Sequence, residues 1–204
     1  MTKKEMILEE AKKMFAVKGY AATIMDDLAK VAGVNKATIY YHYKDKASLY
    51  ETLFFEGVKK IADETIEKSS LAKEPHEKLS EYIKAYAKRL EKCKYLTSIL
   101  LRELASGGDS MPKSVLEQLF RTTKRLTTII KECTKQSNTI CQEPMLIQLM
   151  IVSTLSAFIT TEPIRKRVKE EIDSTAKTLP SLSIEEVAEK LSQMITKNLQ
   201  GEKI

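Results

Sequence analysis

The sequence predicts an all-α protein. Apolar residues recur three and four positions apart along nearly the whole chain. Glycine (six) and proline (five) are scarce, and most stand where a helical pattern stops. Between residues 23 and 43 two short helical patterns meet at a glycine, the spacing of a helix-turn-helix.

The first helix is expected over about 4–18, with Ile7, Ala11, Met14 and Phe15 as its apolar face and Gly19 as its end. Thr23 is expected to cap the second helix, with Asp26 three residues on closing a capping box. Ile24, Leu28, Ala29 and Val31 follow at helical spacing. Gly33 ends that helix, where the chain needs a left-handed residue. Asn35 is a good N-cap for a third helix over about 36–43. That helix presents Lys36, Thr38, Tyr40, Tyr41 and His42 around an apolar anchor, Ile39. In a helix-turn-helix this second member enters the major groove of DNA.

Asp45 can cap a long fourth helix over about 46–69, and its length suits a lever between two domains. Further helices are expected over about 75–93, 95–106, 112–135, 143–160, 163–173 and 184–199, with a polar loop at 136–142. The fifth carries Leu79, Tyr82, Ile83, Tyr86 and Leu90 on one stripe. The sixth is apolar on several sides and so central. The seventh carries Val115, Leu116, Leu119, Phe120, Leu126, Ile129, Ile130 and Cys133 as its apolar positions. The reading divides the chain into a headpiece, 1–47, and a helical body, 48–204.

Composition sets bounds on function. Net charge is +6 and the pI is about 9.0, which fits a nucleic-acid partner. The charge is spread evenly, so the motif argues for DNA more than the bulk charge does. The N-terminus is charged and lacks the apolar run of a signal peptide. The longest apolar stretch, 145–159, is too short and too polar to span a bilayer. A soluble cytoplasmic protein is expected. Cys93, Cys133 and Cys141 have no metal-ligand spacing and read as reduced thiols. The two histidines, His42 and His76, stand apart, and there is no glycine-rich phosphate loop or nucleophile elbow. Neither catalysis, nor a metal, nor a cofactor is expected.

The flanks of the motif sharpen it. Phe15-Ala16-Val17-Lys18-Gly19-Tyr20, Leu28-Ala29, Ala32-Gly33-Val34, Thr38-Ile39-Tyr40-Tyr41-His42-Tyr43 and Lys46 resemble the N-terminal domain of TetR-family transcriptional regulators. The resemblance covers roughly residues 4–55. It implies a dimeric, ligand-responsive DNA-binding protein with an N-terminal three-helix headpiece and a C-terminal helical ligand-binding and dimerisation domain.

Carried over position by position, the resemblance places Asn35, Lys36, Ala37 and Thr38 at the entry of the recognition helix. Asn35 can pair with adenine or be consumed as the N-cap. Lys36 can donate to guanine, and Ala37 can touch a thymine methyl. Tyr40, Tyr41 and His42 match positions that reach phosphate or sugar, and their rings also suit packing between helices. Tyr40 and Tyr43 are expected partly in the core, Tyr41 and His42 outward. Lys46 matches a phosphate contact, and Thr23 a helix N-terminus docked on phosphate. Two departures stand out. Ile24 replaces a frequent Ser or Thr. Residues 1–60 also contain no arginine, so an operator with few guanines fixed by direct readout is expected.

In the body, Tyr82, Tyr86, Arg89, Arg102, Glu103, Gln118 and Arg121 are the candidate polar lining of an effector pocket enclosed by the fourth to seventh helices. Ser153, Ser156, Ala157 and Thr160, with Val187, Leu191, Met194 and Ile195, are the candidate dimer interface, a four-helix bundle across a twofold axis. The alternative is burial of these faces within one subunit. The partners expected are double-stranded DNA with a palindromic operator, a small-molecule effector and a second copy of the chain. A repressor released by its effector is the leading reading. An effector-requiring regulator, or a helical binding module without DNA binding, is the alternative.

Overall fold

A computed structural model of the chain describes residues 1–137, 143–173 and 182–200. Among these residues it forms ten helices and no strand: α1 (Lys3–Ala22), α2 (Met25–Val31), α3 (Lys36–His42), α4 (Lys46–Leu71), α5 (Pro75–Lys92), α6 (Lys94–Ala105), α7 (Lys113–Ser137), α8 (Pro144–Thr160), α9 (Glu162–Asp173) and α10 (Ile184–Gln200). The all-α expectation holds, and element ends agree to within a few residues. Most of the polar loop at 136–142, Cys141 and Pro180 lie outside the described residues. Among the described residues no single helix is long and apolar enough to cross a membrane.

The chain divides into two compact units. The first comprises 1–60 and 95–119, the second 61–94 and 120–204. Helix α4 therefore begins in one and ends in the other, as does α7. The unit that holds the helix-turn-helix extends beyond residues 1–47, because the first half of α4, most of α6 and the first turns of α7 belong to it.

The first unit is built on Ile7 and Phe15 of α1, Leu28 of α2, Ile39 of α3 and Leu49, Leu53 and Phe54 of α4, all essentially inaccessible to water. Burying a side chain of this size stabilises by about 1.5–3 kcal/mol. Tyr50 sits within an aromatic group, its ring centroid 4.9 Å from those of both Phe15 and Tyr20 and 5.6 Å from that of Phe54. Its hydroxyl donates to the buried Glu103 carboxylate at 2.5 Å. Helix α1 breaks at Gly19, whose φ of 78° is left-handed, so the helix stops where the sequence places its end even though the backbone resumes to Ala22.

The second unit packs α10 and α8 against α5. Leu79, Tyr82, Ile83, Tyr86 and Leu90 form the predicted buried stripe. Helix α7 is less regular than expected. Leu126, Ile129 and Ile130 are buried, but Leu116 is 50% and Phe120 67% exposed, so its apolar positions do not all share the inward face.

Candidate nucleic-acid interface

The turn between α2 and α3 is set by local chemistry. Gly33, at φ +65°, follows the last turn of α2. The Gly33 N–H donates to the Lys30 carbonyl at 3.2 Å and the Val34 N–H to that of Ala29 at 3.0 Å, the paired bonds of a Schellman stop. Asn35 then caps α3: its Oδ1 accepts from the Thr38 N–H and the Thr38 hydroxyl, each at 2.7 Å. Buried Ile39 anchors the helix. Lys36, Ala37, Tyr40 and Tyr41 are left exposed, Tyr41 by 85%.

Several expectations change at this level. Thr23 does not cap α2. It is buried, and its hydroxyl donates at 2.7 Å to the Gly19 carbonyl, an acceptor freed by the break in α1. The N-cap of α2 is Ile24, with no side-chain bond. The Thr23 hydroxyl is thus turned away from any phosphate, and Asp26 and Asp27 occupy the first turn of α2. Asn35 is used as the cap, so bidentate pairing with adenine, which needs both ends of the amide, is excluded while the cap holds. Tyr43 is buried as expected, Tyr40 is 42% exposed, and His42 is half-buried with its ring edge-on to Tyr41 at 5.1 Å.

The two lysines singled out are both engaged. The Lys36 ammonium lies 2.8 Å from Asp26 Oδ1 and 3.0 Å from Oδ2, and the hydrogen bond to Asp26 raises its pKa. Lys46 donates to the Ala21 carbonyl at 3.1 Å and stands 4.5 Å from the Tyr20 ring centroid, and burial lowers its pKa. At the start of α4 the Ser48 N–H donates to Asp45 Oδ1 at 2.7 Å, the predicted cap. The Asp26–Lys36 pair escaped the sequence reading. Ten residues separate the partners, and only the geometry of the turn brings them together.

The candidate effector residues separate. Tyr82 and Tyr86 are buried side by side, ring centroids 6.4 Å apart. The Tyr82 hydroxyl donates to Gln148 Oε1 at 2.9 Å, with the Thr122 carbonyl at 3.2 Å. Arg89 pairs with Glu64 at 3.3 Å and Arg121 with Asp63 at 2.9 Å, so each guanidinium has a carboxylate of α4. Gln118 is buried. Arg102 and Glu103 are corrections: both serve the first unit, Arg102 on carbonyls of α1 and Glu103 on Tyr50. None of these residues lines the cleft of about 510 Å³ in the second unit, which Phe158, Ile159, Arg165 and Ile184 border.

The dimer candidates fall on two faces. Ser153 and Ala157 of α8 and Met194 of α10 are exposed, beside exposed Met145, Leu146, Leu149 and Met150. Ser156, Leu191 and Ile195 are buried within the protomer, because the stripe of α10 is spent on α5 and α8. Val187 and Thr160 are half-buried, and the Thr160 hydroxyl donates to the Ser156 carbonyl at 2.8 Å.

A capped second helix behind a Schellman turn, among described residues that form only helices, is a helix-turn-helix, the motif whose second helix enters the major groove in DNA-binding proteins. Residues 7–53 match the family model of bacterial regulatory proteins, tetR family. The match covers the helix-turn-helix headpiece, about a quarter of the chain, which is thus similar to the DNA-binding domain of that family. YhgD of Bacillus subtilis, an uncharacterised HTH-type transcriptional regulator, is 34% identical over 122 residues, 58% of this chain and 62% of YhgD. IcaR of Staphylococcus aureus, the negative transcriptional regulator of the biofilm operon icaADBC, is 44% identical over 48 residues, 24% of this chain and 26% of IcaR. The matched region thus spans less than two thirds of either relative. Among solved structures, a tetR-family regulatory protein from Rhodococcus RHA1 superposes with a TM-score of 0.76 at 19% identity, over 98% of this chain and 97% of that one. The fatty acid degradation regulator FadR of Bacillus halodurans does so with 0.71 at 20% identity, over 98% and 97%. These two show a shared fold.

Proposed function

We propose that the chain is a homodimeric, sequence-specific transcriptional regulator acting in the cytoplasm, a repressor that a small-molecule effector releases from a palindromic operator. The observation that carries this is α3: capped by Asn35, anchored by Ile39, and exposing Lys36 and Ala37 at the end that enters a groove and Tyr41 near its other end. The matched relatives support it, since IcaR is named a negative transcriptional regulator. FadR of Bacillus subtilis, a structure of the same fold, is described in complex with stearoyl-CoA, which supports a small-molecule effector here.

The headpiece, 1–47, reads DNA through Lys36, Ala37 and Thr38, with Tyr40, Tyr41, His42 and Lys46 on phosphate and sugar. The body, 48–204, holds the effector and the dimer contact. The outer face of α8, from Met145 to Ala157, forms that contact together with Met194. The buried Tyr82–Gln148 pair is the polar group an effector entering among α5, α7 and α8 would engage. An effector that prefers the DNA-incompatible state and an operator that prefers the other are then antagonists by linkage. Binding rather than catalysis is the role.

Selection of bound sequences from a random duplex pool, at near-physiological salt, tests the reading. An enriched palindrome with half-sites about 34–36 Å apart is expected. Failure to enrich any sequence would overturn an unaided DNA-binding function.

A further inference from the structure

The acidic first turn of α2 stands beside the basic entry of α3. Asp26 and Lys36 face each other with both carboxylate oxygens at 2.8 and 3.0 Å from the ammonium, and each side chain is about half exposed, 57% and 46%. The neighbouring Asp27 has its own cation, Lys18, at 3.4 Å. Lys36 is the first residue of its helix, where the helix dipole disfavours a cation, so the carboxylate also offsets an unfavourable placement.

We propose that Asp26 is a specificity-determining residue, which holds Lys36 at the entry of the recognition helix until a base acceptor draws it away. This rests on the DNA-binding reading above. Every duplex offers phosphate, and a bare lysine gains from releasing counterions on any of them. A lysine already neutralised by Asp26 gains little in that way. Drawing it away, to phosphate or to a base, also leaves a carboxylate facing a polyanion, a cost that a sequence-specific contact added to the phosphate contacts must offset. Phosphate is the same in every sequence and cannot favour one, whereas a guanine that places O6 and N7 within reach adds acceptors that only some sequences supply. Asp26 therefore lowers affinity for DNA in general and spares the operator.

The test uses the full-length protein and its Asp26→Asn, Lys36→Ala and double variants, with the selected operator and a random-sequence duplex over a salt series. Asp26→Asn should raise random-duplex affinity roughly three- to tenfold and narrow the operator-to-random ratio. It should also steepen the salt slope by about one. In the Lys36→Ala background the gain should fall below about twofold, because no held cation is left to free. Asp26→Glu, which keeps the carboxylate, should behave as the unsubstituted protein, and circular dichroism confirms that each variant is folded. An equal gain in both backgrounds would make Asp26 a generic surface charge and overturn the assignment. An unresponsive Asp26→Asn would do the same while leaving the DNA-binding reading intact. If the unsubstituted protein binds neither duplex, that reading fails and this assignment with it.

Discussion

Arg102 closes the end of the first helix on Val17. Its Nη2 donates to the Val17 carbonyl at 2.6 Å and its Nε to that of Ala16 at 3.1 Å, two acceptors left open where Gly19 breaks the helix. Arg102→Ala should lower stability by about 1–2 kcal/mol in urea unfolding. Arg102→Lys should recover only part of it, since an ammonium lacks the planar fork. An unchanged midpoint in Arg102→Ala would show that water replaces the guanidinium without loss.

The capping role of Asn35 can be separated from the effect of charge at that position on DNA binding. Asn35→Ala should cost about 1 kcal/mol, the usual value of an N-cap. Asn35→Asp keeps an acceptor for the Thr38 N–H and should restore stability, yet its charge should weaken DNA binding. Thermal melts and fluorescence anisotropy on the same two variants measure the two effects. Equal DNA affinity in the Asp variant would place residue 35 away from the duplex.

In the proposed function Lys46 would leave the Ala21 carbonyl and the Tyr20 ring for a phosphate, which carries no base sequence. Lys46→Ala should weaken operator and random duplex by the same factor and reduce the salt slope by about one. A loss confined to the operator would instead make it a base reader.

Asp45 links the start of α4 to pH. The Ser48 N–H holds its carboxyl below the ordinary value of 3.8. A lowered folded-state pKa means that the charge-linked stability is present above 3.8 and is lost as pH falls through the folded value. The stability advantage over Asp45→Asn, which keeps the cap without the charge, should therefore shrink in acid. Urea midpoints from pH 7 down to about 2 follow it, and an advantage that grew in acid would reverse the sign of the linkage.

Burial pushes the Cys133 thiol up to about 11 from an ordinary 9.0, with the charge of Glu132 adding to the effect. At pH 8 the thiolate is then about a hundredfold scarcer than in the unfolded chain. Iodoacetamide should label Cys133 at least that much more slowly in the native protein, read by peptide mass spectrometry. Rapid native labelling would show that the site opens.

The helices were legible because their signals are local. Periodicity placed Leu79, Tyr82, Ile83, Tyr86 and Leu90 on one buried stripe, and Gly33, Asn35 and Asp45 act through neighbours within a few residues. The pattern was less able to say which of two apolar faces turns inward. Leu116 and Phe120 obey helical spacing yet are exposed, and Ser156, Leu191 and Ile195 fit an interface yet are buried inside the protomer.

What the sequence by itself determined is the all-α class, the order of the helices, the helix-turn-helix and the side chains at the entry of α3. Backbone hydrogen bonding, caps and amphipathic spacing are set by residues near one another in the chain. Only the tertiary structure decided the partners of the charged and hydroxyl groups: Asp26 for Lys36, Gly19 for Thr23, Val17 for Arg102 and Tyr50 for Glu103. Each such group takes the nearest complementary atom the fold supplies. Three of these four partners lie ten or more residues away, beyond the reach of any local spacing rule.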